Sequence, residues 1–180
     1  MDKNVLSAQS KFLSYLLRHK PESLHLTMDA HGWVSIDQLI ENSIPSDTPL
    51  TRAQLEDIVR NCTKQRFAIS ADGGNIRANQ GHSVPVDLDL SPCLPPEKLY
   101  HGTAEKNLLA IQASGLNRHA RHHVHLSSDP ETARKVGMRH GKPIVFTVQA
   151  SVMQTHGHQF FLTDNGVWLI ESVPPEFLQL

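Results

Sequence analysis

The sequence predicts an α+β protein of two lobes, and three observations carry that expectation. Amphipathic helical stripes run through the first half and close on a hairpin signal. A proline-rich stretch without periodicity follows. Beyond it come many short extended runs with two helices among them, which is not the βαβ alternation of a nucleotide-binding sheet. The expected boundaries are 1–90 for the first lobe, 91–97 for a proline-rich linker and 98–180 for the second lobe.

Each element has a local cause. Phe12, Leu13, Leu16 and Leu17 recur at the spacing of one helix face. Pro21 disfavours helical geometry at Lys20, so this helix stops with Arg18 and His19 on its last turn. Leu24-His-Leu leads into the turn Asp29-Ala-His-Gly32, and Trp33-Val34 is extended. Ser35-Ile-Asp-Gln38 is a capping box for a helix carrying Leu39 and Ile40. Thr51-Arg-Ala-Gln54 is a second box, ahead of the stripe Leu55, Ile58 and Val59. Strands over 66–70 and 75–78 flank Asp72-Gly-Gly74, a hairpin turn. Three helices followed by a two-stranded wing is the order of a winged-helix domain, a fold that most often binds nucleic acid but does not fix a function.

In the second lobe, Leu99-Tyr-His-Gly-Thr103 reads as a strand running into a turn, with Thr103 capping a helix that carries Leu108, Leu109 and Ile111 and closes at Gly115. His123-Val-His-Leu-Ser127 is a strand. Ser128-Asp-Pro-Glu131 is a capping box for a helix ended by Gly141. Ile144-Val-Phe-Thr-Val148 is a buried strand, and Phe160-Phe-Leu pairs with Val167-Trp-Leu-Ile170 around Asp164-Asn-Gly166. There is no GxGxxG and no phosphate-loop motif.

Composition narrows the chemistry. The 180 residues are 39% hydrophobic and 19% charged with net charge −1, so no global basic field advertises a nucleic-acid partner. Basic residues do cluster locally, at Arg118, Arg121, Arg134, Lys135, Arg139 and Lys142. Cys62 and Cys93 lack metal-type spacing, which suits free thiols in a reducing, cytoplasmic setting. No apolar run reaches membrane-spanning length, and Met1-Asp-Lys-Asn lacks a signal-peptide pattern; no membrane partner is expected.

Two stretches concentrate polar chemistry. Arg18-His19 alone reads as two cations answering the negative end of a helix dipole. In a strand, Arg121, His123, His125 and Ser127 share one face while Val124 and Leu126 share the other. The histidines suggest zinc first, yet the run lacks a second ligand pair at a fixed offset, so no metal is expected. Trp33 and Trp168 read as core. Gln80-Gly-His82-Ser83, after the wing, reads equally as a turn and as the border of a site.

His101-Gly102-Thr103, with His125-Leu-Ser127 and the closing strand from Val167, resembles the ligand-gripping elements of ADP-ribosyltransferases. The collinear set Leu-Leu-Arg18-His19-Lys-Pro21, Asp29-Ala-His-Gly-Trp33-Val, Lys64-Gln-Arg66-Phe, Ile76-Arg-Ala-Asn-Gln80-Gly-His82-Ser83, Leu-Tyr-His101-Gly-Thr103, Arg121-His-His-Val-His125-Leu-Ser127 and Val167-Trp-Leu resembles the NAD-dependent RNA 2′-phosphotransferases of the KptA type, nearly end to end. The resemblance implies a winged-helix lobe and an ADP-ribosyltransferase-like lobe. It implies a transferase that moves an internal RNA 2′-phosphate, of the tRNA splice-junction type, to NAD⁺ as co-substrate. The RNA is left with a 2′-hydroxyl, and nicotinamide and ADP-ribose 1″,2″-cyclic phosphate are released. By the same analogy Arg18, His19, Arg66 and Arg121 are catalytic. His101, Gly102, Thr103, His125, Ser127 and Val167 hold NAD⁺. A monomer is expected.

The chemistry accounts for those residue types. A phosphomonoester carries close to two negative charges near neutral pH. Guanidinium groups stay protonated and bond such a group bidentately, so three arginines can fix it without a metal. Two other readings remain: a mono-ADP-ribosyltransferase that stops after the first transfer, and a non-catalytic winged-helix nucleic-acid binder. Against the latter, the helix over 51–62 carries Arg52 and Arg60 among Glu56 and Asp57, a poor composition for reading a groove.

Overall fold

In the computed structural model residues 3–180 are described, with side chains from residue 6. The chain folds as α+β in two compact units, Met1–Asp89 and Leu90–Leu180.

The first unit is built on α1 (Lys3–Arg18), whose Leu13, Leu16 and Leu17 are fully buried. Its end is set as Pro21 requires: the N–H groups of His19 and Lys20 both donate to the carbonyl of Tyr15, and a 3-10 turn over Pro21–Leu24 follows. Strand β1 (Val34–Ser35) runs directly into α2 (Ile36–Ser43). Ser35 caps α2 by accepting from N–H of Gln38 at 3.3 Å, but the reciprocal half of the box is absent. Oε1 of Gln38 instead accepts from N–H of Thr27 at 2.9 Å. At α3 (Arg52–Asn61) the box with Thr51 and Gln54 is complete.

Strands β2 (Phe67–Ile69) and β3 (Asn75–Ala78) form the hairpin, and β1 adds antiparallel to β3, giving the order β1-β3-β2. One sheet face, with Val34, Phe67 and Ile76, packs on the helices. Residues beyond β3 fold back on this unit. N–H of Asp87 donates to the carbonyl of Ala30 at 2.8 Å, while Nδ1 of His31 lies 2.9 Å from both the carbonyl of Asp87 and Oδ2 of Asp89.

In the second unit, β4 (Leu99–Ala104) leads through a 3-10 turn into α4 (Leu108–Ser114). Then come β5 (Leu116–Asn117), β6 (Val124–Leu126), α5 (Pro130–Gly137), β7 (Pro143–Val148) and α6 (Ala150–Thr155). Four short strands follow: β8 (Phe161–Leu162), β9 (Trp168–Ile170), β10 (Ser172–Val173) and β11 (Leu178–Gln179). They make two three-stranded antiparallel sheets, β11-β7-β4 and β6-β9-β8, and a small pair β10-β5. Main-chain bonds of 2.8 Å in both directions between Tyr100 and Ser127 join the two larger sheets. Before β4, N–H of Cys93 donates to the carbonyl of Phe160 at 2.8 Å.

Several local expectations are corrected here. Thr103 does not cap a helix: it is buried within β4, and its Oγ1 accepts from Nδ2 of Asn107 at 2.9 Å. Asp129 rather than Ser128 caps α5, accepting from N–H and Oγ1 of Thr132 at 2.7 Å. That helix ends at Gly137, four residues before Gly141, because N–H groups of Arg139 and His140 close three-residue turns onto Val136 and Gly137. Strand β6 is shorter than its alternation suggests, and Arg121 lies in a turn closed by its N–H on the carbonyl of Arg118.

Candidate active site

In the first unit the candidate residues gather around the segment after β3. Arg18 is the last residue of α1, and its guanidinium lies against Gly81: a Cβ there would stand 3.5 Å from Nη1. Gly81 has φ +88, so the approach and the backbone both favour glycine. Ser83 holds the helix end. Its N–H donates to the carbonyl of Arg18 at 2.8 Å, and its Oγ lies 2.9 Å from Nδ1 of His19. Arg66 reaches the same segment through its main chain, whose carbonyl accepts from N–H of Asn79 at 2.9 Å. Buried Asn79 locks this corner with a 2.7 Å bond from Nδ2 to the carbonyl of Gln65. Nη1 of Arg66 lies 3.7 Å from Sγ of Cys62.

The second unit gathers another set. Nη1 of Arg121 donates to Nδ1 of His125 at 2.8 Å. The carbonyl of His125 accepts from Nδ1 of His101 at 3.1 Å. Burial holds the pKa of His101 below its ordinary value. The bond to the His125 carbonyl works against that, and the positive charge of Arg121 adds to it. Because a carbonyl only accepts, Nδ1 of His101 carries a proton, and in the neutral ring the lone pair lies on Nε2. The ring of His123 turns instead to Phe161, with centroids 5.6 Å apart edge to face. Burial, then the neighbouring His122 and Arg118, lower its pKa.

The remaining candidates serve the frame. At Gly102 a Cβ would fall 1.6 Å from the carbonyl oxygen of Ala133. Its missing side chain is filled by α5. Gly137 answers it from the helix, where a Cβ would meet the Thr103 carbonyl oxygen at 2.7 Å. Ser127 is committed through its main chain to Tyr100, and N–H and C=O of Val167 are both taken by Thr163. Trp168 is buried as expected, whereas Trp33 is only half-buried and lines a surface groove. Sequence reasoning undervalued Ser83; its place after a glycine-histidine pair signals a turn, and nothing local signals the bond to His19.

Arginines held by main-chain and thiol contacts, with imidazoles beside them, can hold a phosphate dianion and pass a proton. That is the equipment of an enzyme that transfers phosphate groups. Comparison with known proteins makes this specific. The model of the family described as "RNA 2'-phosphotransferase, Tpt1 / KptA family" matches residues 4–172. A protein of Trichormus variabilis named "Probable RNA 2'-phosphotransferase" is 54% identical over 171 residues, 95% of this chain and 94% of its own length. One of Hahella chejuensis with the same name is 48% identical over 180 residues, 100% of this chain and 96% of its own. The chain belongs to the RNA 2′-phosphotransferase, Tpt1 / KptA family, and is a transferase.

Proposed function

We propose that the protein removes an internal 2′-phosphate from RNA, of the kind left at a ligated tRNA splice junction, by transferring it to NAD⁺. Supporting this reading above all is the family match across residues 4–172, which spans every arginine and histidine the reaction needs. In the same reading the first unit is a winged-helix lobe that takes the RNA phosphate, and the second an ADP-ribosyltransferase-like lobe that takes NAD⁺. The donor set of the second unit suits a dinucleotide ribose: Nε2 of His101 has no partner among the described residues and accepts from a hydroxyl. Gly102 and Thr103 support that set from within β4, Gly102 by letting α5 pack close at Ala133 and Thr103 by accepting from Asn107.

NAD⁺ supplies an activated ribose carbon, C1″, from which nicotinamide leaves as a neutral ring with the bonding pair. Arg18, Arg66 and Arg121 hold the attacking 2′-phosphate and orient it on that carbon. Because the same clamp withdraws charge from the nucleophile, its larger contribution falls in the second step. There the adjacent ribose hydroxyl attacks phosphorus and negative charge grows on the phosphoryl oxygens. His19 takes the proton of that hydroxyl and delivers it to the departing RNA 2′-oxygen. The products are RNA with a 2′-hydroxyl and ADP-ribose 1″,2″-cyclic phosphate.

The test is a short RNA with one internal 2′-phosphate, incubated with and without NAD⁺ in EDTA, with RNA and nucleotide products resolved. Loss of the phosphate with formation of the cyclic-phosphate nucleotide is expected only with NAD⁺. RNA left ADP-ribosylated at its phosphate would instead identify a one-step transferase, and no NAD⁺-dependent change would overturn the reading.

A further inference from the structure

The outer face of the three-stranded sheet in the first unit carries a groove of about 540 Å³ that the reaction above does not use. Ile76 and Ala78 point into the core, so Asn75 and Arg77 of β3 face outward. Trp33, just before β1, forms the groove wall, and the guanidinium carbon of Arg77 lies 4.6 Å from the centre of its ring. Nothing acidic holds that cation: Arg77 has no ion pair among the described residues, and its buried Nε has no hydrogen-bond partner. A polar floor surrounds the pair. Gln38 spends its Oε1 on Thr27 and keeps its amide N–H groups, while the side-chain amide of Asn75 makes no bond among the described residues.

From this geometry, and resting on the proposed RNA 2′-phosphotransferase reading, we infer that the groove walled by Trp33, whose ring is backed by Arg77, seats an unpaired nucleobase of the RNA near the nucleotide whose 2′-phosphate reacts. An aromatic ring with a stacked guanidinium is a platform for a π-face, and it takes any base. Free amides at Gln38 and Asn75 offer donors and an acceptor to the base edge. A second phosphate is the poorer occupant. No lysine or arginine lines the groove, while the carboxylate of Asp29 does, its Oδ1 accepting from the N–H groups of His31 and Trp33 at 2.9 and 2.8 Å.

The turn that carries Trp33, one wall of the groove, meets the segment beside Arg18 and His19 within the same unit. Nε2 of His82 stands 3.4 Å from where a Cβ of Gly32 would be, so the turn carrying Trp33 leans on the segment that holds Arg18 and His19. Along β3, Arg77 is four residues from Gly81, a span of at most about 14 Å.

The experiment measures binding without NAD⁺, by titration calorimetry, of a nucleoside 2′-monophosphate and of a trinucleotide RNA with a central 2′-phosphate. Stacking of one base on an aromatic side chain makes the trinucleotide roughly tenfold tighter on the wild-type protein. In Trp33→Leu and in Arg77→Gln that ratio falls to about one. Asn75→Ala, on the exposed sheet face, serves if Trp33→Leu does not fold, and is expected to shrink the ratio severalfold. A ratio near one in the wild type overturns the inference, as does a tenfold ratio retained by the folded variants. A failure of the underlying reading looks different: the wild type then binds neither ligand, or binds both and transfers no phosphate when NAD⁺ is added.

Discussion

Oγ of Ser83 lies 2.9 Å from Nδ1 of His19, and N–H of Ser83 donates to the carbonyl of Arg18, so one residue holds both neighbours at the helix end. With the hydroxyl donating to that same carbonyl, 3.5 Å away, Oγ is the acceptor for Nδ1–H of His19 in the tautomer a proton shuttle uses. Nε2 then carries the lone pair that a proton shuttle requires.

Ser83→Ala removes the bond that orients the ring. A neutral hydrogen bond contributes about 1 kcal/mol, so kcat is expected to fall about fivefold while KM for RNA changes little. Single-turnover kinetics should place the loss in release of dephosphorylated RNA rather than of nicotinamide, and Ser83→Thr should restore most of it. Equal slowing of both steps would contradict a positioning role.

Gly102→Ala drives a methyl group into the α5 backbone at Ala133. Overpacking of this kind costs ~1–3 kcal/mol, which lowers Tm by roughly 2–12 °C in a chain of this size. Gly74→Ala is the control, since a Cβ there meets nothing closer than the Asp72 carboxylate at 3.5 Å. Calorimetric scans should separate the two variants. A Gly102→Ala protein with wild-type Tm and weakened NAD⁺ binding would return that glycine to a ligand-contact role.

His101 and His31 make opposite contributions to stability with pH. Burial depresses the folded pKa of His101, with Arg121 adding to it, so below the ordinary value of 6.5 the unfolded chain takes the proton first. Its contribution is full above 6.5 and is lost as pH falls from there toward the folded pKa. Arg121→Gln is expected to raise that pKa, read from the imidazole proton shifts in NMR. No upward movement would remove Arg121 from the electrostatics of the ring.

His31 runs the other way. Its bond to the Asp87 carbonyl, then the charge of Asp89, raises its folded pKa above 6.5. The contribution is full below 6.5 and is lost as pH rises through the raised value. Amide exchange over residues 84–89, corrected for the intrinsic rate, should accelerate across that window in the wild type and stay flat in His31→Asn. A wild-type profile as flat as the variant's would sever the link.

Local signals were the legible part of this fold. Pro21 ended α1, Thr51 and Gln54 capped α3, and Asp72-Gly-Gly74 turned the hairpin, each through contacts a few residues apart. Strands β5, β10 and β11 are two residues long, and no periodicity exists at that length. The site divides in the same way. The place of Arg18 and His19 before Pro21 spoke only of a helix end, and it was the collinear family resemblance that singled them out together with Arg66 and Arg121. Ser83 was not marked, because its partner lies 64 positions away. Contacts between elements were not legible either: another element's backbone fills the space beside Gly102, and Arg77 covers one face of Trp33, which read as core.

The bond from Ser83 back to Arg18 also sets an order in time. A growing chain leaves the ribosome from its N-terminus, so α1 emerges early, carrying Arg18 and His19 without the segment that fixes them. Gly81 and Ser83 come out only after the whole hairpin, and Asp87 and Asp89, which pin the returning strand to Ala30 and His31, later still. A nascent chain therefore exposes these two side chains well before it has a corner in which to use them. Competence to hold a phosphate there begins only when nearly the entire first unit has been synthesised.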